Sequence, residues 1–178
     1  MDNLKKGLAL YCIMRAILYP MSKIITISKN SEESVNNIKE IKSFIDKYEA
    51  IANDISPKAV RVGLKEGEAN FKNGSKINTI SLSFGIRGYR ADTILLDESV
   101  SLSDFGEFSW AIRHINTYAR DKESVSMNRD NHFNKSHCII PLDKAIFSNR
   151  RLDPEPCEAH FKWAKEKFDE LLSVQATT

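Results

Sequence analysis

Arg87-Gly88-Tyr89-Arg90-Ala91-Asp92-Thr93-Ile94-Leu95-Leu96-Asp97-Glu98 is the stretch that decides the fold. Ile94, Leu95 and Leu96 make a short continuous apolar run, the pattern of a strand covered on both faces of a parallel sheet. The run stops at two adjacent carboxylates, so Asp97 and Glu98 fall at the carboxyl end of the strand, where open α/β sheets gather their ligand sites. One carboxylate in that position can hold a hydrated Mg²⁺, and the next can orient a water for attack on a phosphate. The competing reading of the same residues is a strand followed by an acidic turn.

The segments upstream supply the layers such a sheet needs. Leu4 to Leu18 carries apolar positions at helical spacing and is stopped by Pro20. Lys23 to Ser28 is rich in β-branched residues and reads as a strand. Ser31 offers an N-cap, with Glu32 and Glu33 suited to the first turn of a helix. That helix carries Val35, Ile38, Ile41 and Ile45 on one stripe, with Phe44 and Tyr48 beside it. Helix, strand and helix in this order favour an α/β layer architecture. From Ala59 to Leu82 the pattern changes to short strands, and Asn73-Gly74 inside Phe71–Ile77 predicts a tight hairpin.

Downstream of Glu98 the signals thin out. Asp104 can cap a helix running through Trp110, Ile112 and Ile115 towards Tyr118. Residues 121–136, with Asn128, Asn131 and Asn134, read as a polar loop or linker. Cys138 to Leu142 reads as a short strand. Pro154 and Pro156 precede a final helix from about Glu158 to Leu172, with Phe161, Ala164, Phe168, Leu171 and Leu172 on its core side. The expected organisation is a core over residues 1–120 and a linker with a helical appendage over 121–178.

Bulk composition narrows the class. A chain of 178 residues, 42% hydrophobic and 28% charged, suits one domain or one domain with an appendage. Its 26 basic and 24 acidic residues leave a formal charge of +2, which excludes a global field for nucleic acid. Three cysteines, Cys12, Cys138 and Cys157, make no disulfide framework and fit a reducing cytosol. Leu8 to Met21 follows Lys5 and Lys6 as the apolar part of a signal peptide would. Arg15 interrupts it, no small-residue cleavage site follows, and it is too short to span a bilayer. A buried helix and a cytoplasmic protein, with no membrane partner, are the expectation.

Four segments, in order, resemble the ATPase domain of phage terminase large subunits, the motors that package DNA. Leu8-Ala9-Leu10-Tyr11-Cys12-Ile13-Met14-Arg15-Ala16-Ile17-Leu18-Tyr19-Pro20 is similar to the helix after the phosphate-binding loop, and Lys23-Ile24-Ile25-Thr26-Ile27-Ser28 to the next sheet strand. Phe71-Lys72-Asn73-Gly74-Ser75 is similar to the family's hairpin, and Arg87-Gly88-Tyr89-Arg90-Ala91-Asp92 to its loop before the Walker B strand. The likeness covers about residues 7–100. It implies an incomplete P-loop NTPase sheet, mainly parallel, with an irregular tail and a C-terminal helix. It implies ATP and Mg²⁺ as cofactors, with Asp97 as the Mg²⁺ carboxylate, Glu98 as the catalytic carboxylate and Arg87 near the nucleotide. It also implies DNA and phage packaging proteins as partners in a bacterial host cell.

The departures from that family bear on activity. A P-loop needs a Gly-rich turn followed by Gly-Lys-Ser/Thr, so that backbone N–H groups, a lysine and a hydroxyl meet phosphates and Mg²⁺. Ahead of the first helix stand only Met1-Asp2-Asn3-Leu4-Lys5-Lys6-Gly7. Impaired ATP binding is therefore expected, as is an open sheet edge where the family's preceding strand would lie, a place for self-association. An alternative function is a non-catalytic binding or assembly module on the same scaffold.

A second constellation lies near the C-terminus. His132, His137, Cys138, Cys157 and His160 fall within residues 132–160, and imidazole and thiolate are zinc ligands. His137-Cys138-Ile139-Ile140-Pro141, followed by Asn149, Cys157 and His160, faintly resembles an HNH nuclease. In that likeness His137 is a metal ligand, and Cys138 stands where imidazole should act as base, which a neutral thiol does poorly. Cys138 as a small buried hydrophobe, with the histidines on the surface, is the preferred reading, and zinc is not expected. Arg87 and Arg90 can meet phosphate or simply occupy a loop. Lys144, Arg150 and Arg151 read as solvated surface, and Trp110 and Trp163 as core.

Overall fold

The computed structural model describes residues 2–82, 89, 91, 93–97, 99 and 155–176. The described chain runs α1 (Asp2–Leu18), β1 (Lys23–Ser28), α2 (Ser31–Lys47), α3 (Glu49–Ala52), β2 (Ile55–Val62), β3 (Gly67–Phe71), β4 (Lys76–Ser81), β5 (Thr93–Leu96) and α4 (Glu155–Gln175). The strands form one five-stranded sheet in the order β2-β3-β4-β1-β5. β1 lies parallel to both β4 and β5, whereas β3 is antiparallel to both β2 and β4. The α/β class is as expected, but the sheet is mixed and not mainly parallel. The reason is local: the β3–β4 hairpin turns at Asn73-Gly74, and a hairpin can only add antiparallel neighbours. Gly74 adopts φ 83°, which favours glycine, and Asn73 Nδ2 ties the turn to the carbonyls of Ala16 and Ile17.

The register sorts side chains by face. Ile24, Thr26 and Ser28 of β1 stand level with Ile77, Thr79 and Ser81 of β4. On the other side Ile24 pairs with Thr93 and Thr26 with Leu95, so Asp97 follows on the same face. α1 and α2 cover this face, and α4 packs over α1. Leu8 to Met14 of α1 are all buried, as a helix enclosed on every side requires. Gly7 admits the Phe161 ring of α4, since a Cβ there would lie 2.9 Å from its Cδ2. Trp163 meets Tyr11 edge-on at 5.8 Å and stacks on Tyr19 at 6.3 Å, while Phe168 meets Tyr48 edge-on at 4.8 Å. The other face also carries buried side chains, Ile25, Ile27 and Ile80.

Two boundaries differ from expectation for physical reasons. Asn30, not Ser31, caps α2: its side chain accepts the backbone N–H of Glu33 at 2.9 Å from an extended backbone. Ser31 is the first helical residue. α4 starts at Glu155, before the expected Glu158, because Pro156 is tolerated in the first turn of a helix. The predicted helix after Asp104, the 121–136 linker and the 138–142 strand lie outside the described residues.

Candidate functional site

The directions of the elements define one end of the sheet. β1, β4 and β5 are parallel, so Ser28, Ser81 and Asp97 share their carboxyl ends. α1 enters β1 through the Tyr19–Ser22 turn and runs back along the sheet, which brings its N-terminus to that end. α2 leaves β1 through Asn30 and starts there too. Lys5 of α1 and Glu33 of α2 close the helix ends together at 2.6 Å. Two helix N-termini thus face the acidic strand end, and their partial positive charges favour an anion between them.

Asp97 lies at this end of the sheet, and it is buried. Its backbone N–H continues the ladder to the Ile27 carbonyl at 3.0 Å, which fixes the side chain against α2. Oδ2 accepts from Ser28 Oγ at 2.5 Å and from Asn37 Nδ2 at 2.7 Å. Oδ1 accepts from the Ser99 backbone N–H at 2.8 Å and from the Ser99 hydroxyl. Each carboxylate oxygen therefore has two donors, which fills the acceptor capacity of the group. Asn37 Nδ2 also reaches Ser28 Oγ at 3.0 Å, so β1, α2 and β5 meet at one knot. Asn37 Oδ1 has no partner, and neither do the buried hydroxyls of Thr26, Ser34 and Thr79 nearby on the same face.

The environment of α1 is less polar. Lys5, Leu8, Ala9, Cys12, Thr26, Asn37 and Ile41 line a narrow cleft between α1, α2 and β1 with no room for a water molecule. Burial pushes the Cys12 thiol far above its ordinary range, against a weaker opposing pull from Arg15, so it is inert as a nucleophile. Across the sheet, Tyr89 donates its hydroxyl to Glu66 at 2.5 Å, and burial together with this carboxylate raises the phenol well above its usual value. That bond ties the segment before β5 to the turn between β2 and β3.

Of the residues singled out from sequence, Asp97 takes the expected position at the carboxyl end of β5. Glu98, Arg87, Arg90, His132, His137, Cys138, Lys144, Arg150 and Arg151 lie outside the described residues. Cys157 and His160 fall on α4, with side chains outside the description. Trp163, expected in the core, is half-buried and packs against the core's margin at α1 through Tyr11 and Tyr19. Among the described residues no three His, Cys, Asp or Glu side chains gather to hold a metal. No helix among them is long and apolar enough to cross a membrane.

Sequence reasoning missed Asn37, Ser28 and Ser99. The signal for Asn37 was present: it sits four residues before Ile41 on the buried stripe of α2, where a polar side chain needs a partner. Ser28 is a buried hydroxyl at the carboxyl end of β1, a second mark of a polar strand end. Compared with known proteins, the chain matches no family model and no curated relative.

Proposed function

We infer that this chain is a terminase-type ATPase fragment related to phage DNA packaging, impaired in ATP hydrolysis. The observation that carries the reading is the in-register parallel pairing of β5 with β1, which sets Asp97 beside Ser28 at the end of the sheet faced by two helix N-termini. This is the end at which α/β sheets bind phosphate-bearing ligands. The four segments similar to terminase ATPases supply the family. DNA, packaging proteins and Mg-ATP are the partners and cofactors it implies.

Impairment follows from two features of the chain. No Gly-x-x-x-x-Gly-Lys-Ser/Thr stretch occurs in the sequence, so the backbone nest that cradles phosphates has no counterpart in it. As arranged, Asp97 does not fit a Mg²⁺ ion, because both of its oxygens are already saturated by donors from Ser28, Asn37 and Ser99. Lys5, in the first turns of α1, is held by Glu33. No catalytic step is derived through a metal at this site.

The saturated carboxylate also favours a second reading, a non-catalytic assembly module that keeps the motor scaffold and uses Asp97 to hold it together. Calorimetric titration with Mg-ATP separates the two. Binding that disappears in Asp97→Asn, with the fold intact by circular dichroism, supports the ATPase reading. No heat at millimolar nucleotide sinks it for this chain and leaves the assembly module.

A further inference from the structure

We propose that Asn73 is a modification site opened by unfolding: the unfolded chain deamidates there through its own Gly74 nitrogen, and the product no longer completes the folded turn. Asn73-Gly74 is the one Asn-Gly pair in the sequence. Asparagine is a chemically labile residue, and a following glycine leaves its backbone nitrogen open to the amide carbon. The fold needs both residues all the same. Gly74 adopts φ 83°, and a Cβ on it would lie 2.4 Å from the Met21 sulfur. Asn73 is half-buried, and its Nδ2 donates to the carbonyls of Ala16 at 2.7 Å and Ile17 at 3.1 Å. Those carbonyls belong to the last turn of α1, which its own backbone leaves without donors. The liability is therefore built into the turn that ties the β3–β4 hairpin to α1.

In the folded protein the reacting groups are all engaged. The Gly74 N–H donates to the Phe71 carbonyl at 3.1 Å, and Asn73 Oδ1 accepts the Ser75 backbone N–H at 3.0 Å. To react, the Gly74 nitrogen must give its proton to a solvent base and bond to Asn73 Cγ, so these bonds and the two to α1 must open together. The new N–Cγ bond closes a cyclic imide as the Cγ–Nδ2 bond breaks. The amide nitrogen leaves as ammonia, taking up a proton from water. Water then adds to either imide carbonyl and opens the ring to aspartate or isoaspartate, with no change of oxidation state. Neither product suits the turn. Aspartate turns a charged oxygen, which has no hydrogen to donate, towards two carbonyls at the negative end of α1. Isoaspartate carries the main chain through the side-chain carbon, adding an atom to a turn that sets Asn70 opposite Lys76. A chain that ages while unfolded is thus marked and hindered from returning.

The test ages the whole chain in mildly alkaline buffer, folded and in guanidinium chloride, and scores Asn73 by peptide mapping in a mass spectrometer. Deamidation in the folded protein should be at least about tenfold slower than in denaturant, because several hydrogen bonds must open at once before it can start. Chains aged in denaturant are then returned to buffer. The folded fraction should be depleted in both products at position 73 relative to the fraction that stays unfolded. Asn73→Asp, which supplies one product directly, should unfold at a lower denaturant midpoint than the parent. If that variant fails to fold, the partition of the aged parent chain decides alone. Equal deamidation rates in the folded and denatured protein overturn the proposal. So does equal product in the folded and unfolded fractions, or an Asn73→Asp midpoint that matches the parent.

Discussion

Arg15 of α1 donates from Nε to the Thr93 hydroxyl at 2.7 Å, a buried bond between residues 78 positions apart. It fastens the last turn of α1 to the first residue of β5, at the end of the sheet opposite Asp97. Among the described residues no carboxylate pairs with this guanidinium. Its Nη1 is buried without a partner, and its Cζ lies 5.0 Å from the centre of the Tyr19 ring. A buried cation held by one hydroxyl and one aromatic face is costly, and its value lies in position.

The asymmetry of that bond gives the first prediction. Thr93→Val keeps the shape of the strand but takes the acceptor from a buried charge, and should cost about 1.5–3 kcal/mol. Arg15→Met removes the charge and keeps the apolar stem, and should leave stability within about 1 kcal/mol of the parent or raise it. In the double variant the Thr93→Val penalty should largely vanish. Denaturant unfolding of the four proteins measures it; equal penalties for Thr93→Val in both backgrounds would show that the bond carries no energy.

The second concerns the approach of α2 to the sheet. A Cβ on Gly67 would sit 2.4 Å from both Cβ and Cγ2 of Ile38, which is itself fully buried. Gly67→Ala must therefore push α2 off β3, at a cost of about 1–3 kcal/mol. Ile38→Ala alone costs about 2–5 kcal/mol by leaving a cavity. Together they should destabilise by at least about 1 kcal/mol less than the sum, because one change makes the room the other needs. Strict additivity in thermal unfolding would mean that the two residues do not limit the packing distance.

How much of this was legible depends on the range of each signal. β-Branching marked β1, Asn73-Gly74 marked the β3–β4 turn, and the apolar run marked β5, because each is a local preference of the backbone. The mixed sheet was not legible, since the family likeness stressed parallel strands while the hairpin's antiparallel neighbours take up half of the pairings. Arg15 was read only as an interruption of an apolar segment. Its partner Thr93 is far away in sequence, and nothing in a helical stripe says which strand will receive a buried charge. Asp97 was placed correctly at a strand end, but its saturation by Ser28, Asn37 and Ser99 depends on three separate segments meeting, which a motif cannot encode.

A third prediction uses a polar group that the fold leaves unused. Thr79 and Thr26 are level in the β1–β4 register, fully buried beneath α2, and neither hydroxyl has a hydrogen-bond partner. An unmet buried hydroxyl costs about 1–3 kcal/mol, and valine has the same branched shape without it. Thr79→Val should raise stability by roughly 1 kcal/mol, seen as a higher denaturant midpoint with an unchanged slope. A lower midpoint would show that the hydroxyl is satisfied in solution.

The last prediction concerns acid. Glu68 on β3 bonds Lys76 at 2.6 Å and accepts Asn70 Nδ2 at 2.6 Å. Burial alone would raise its carboxyl. The bonds from Lys76 and Asn70, with the charges of Lys76 and Arg61, outweigh that and lower it below its ordinary 4.5. A carboxyl lowered on folding means that the unfolded chain takes up its proton first as the pH falls. The stability it supplies is complete above pH 4.5 and drains away below that, down through its folded value. Because the pair is partly exposed, salt should weaken it. Glu68→Gln should therefore be less stable than the parent at pH 7, and the gap should close as the pH drops below about 4.5. Unfolding midpoints at low salt between pH 3 and pH 7 test this; a gap that is constant across that range would assign the loss to packing and not to the charge of Glu68.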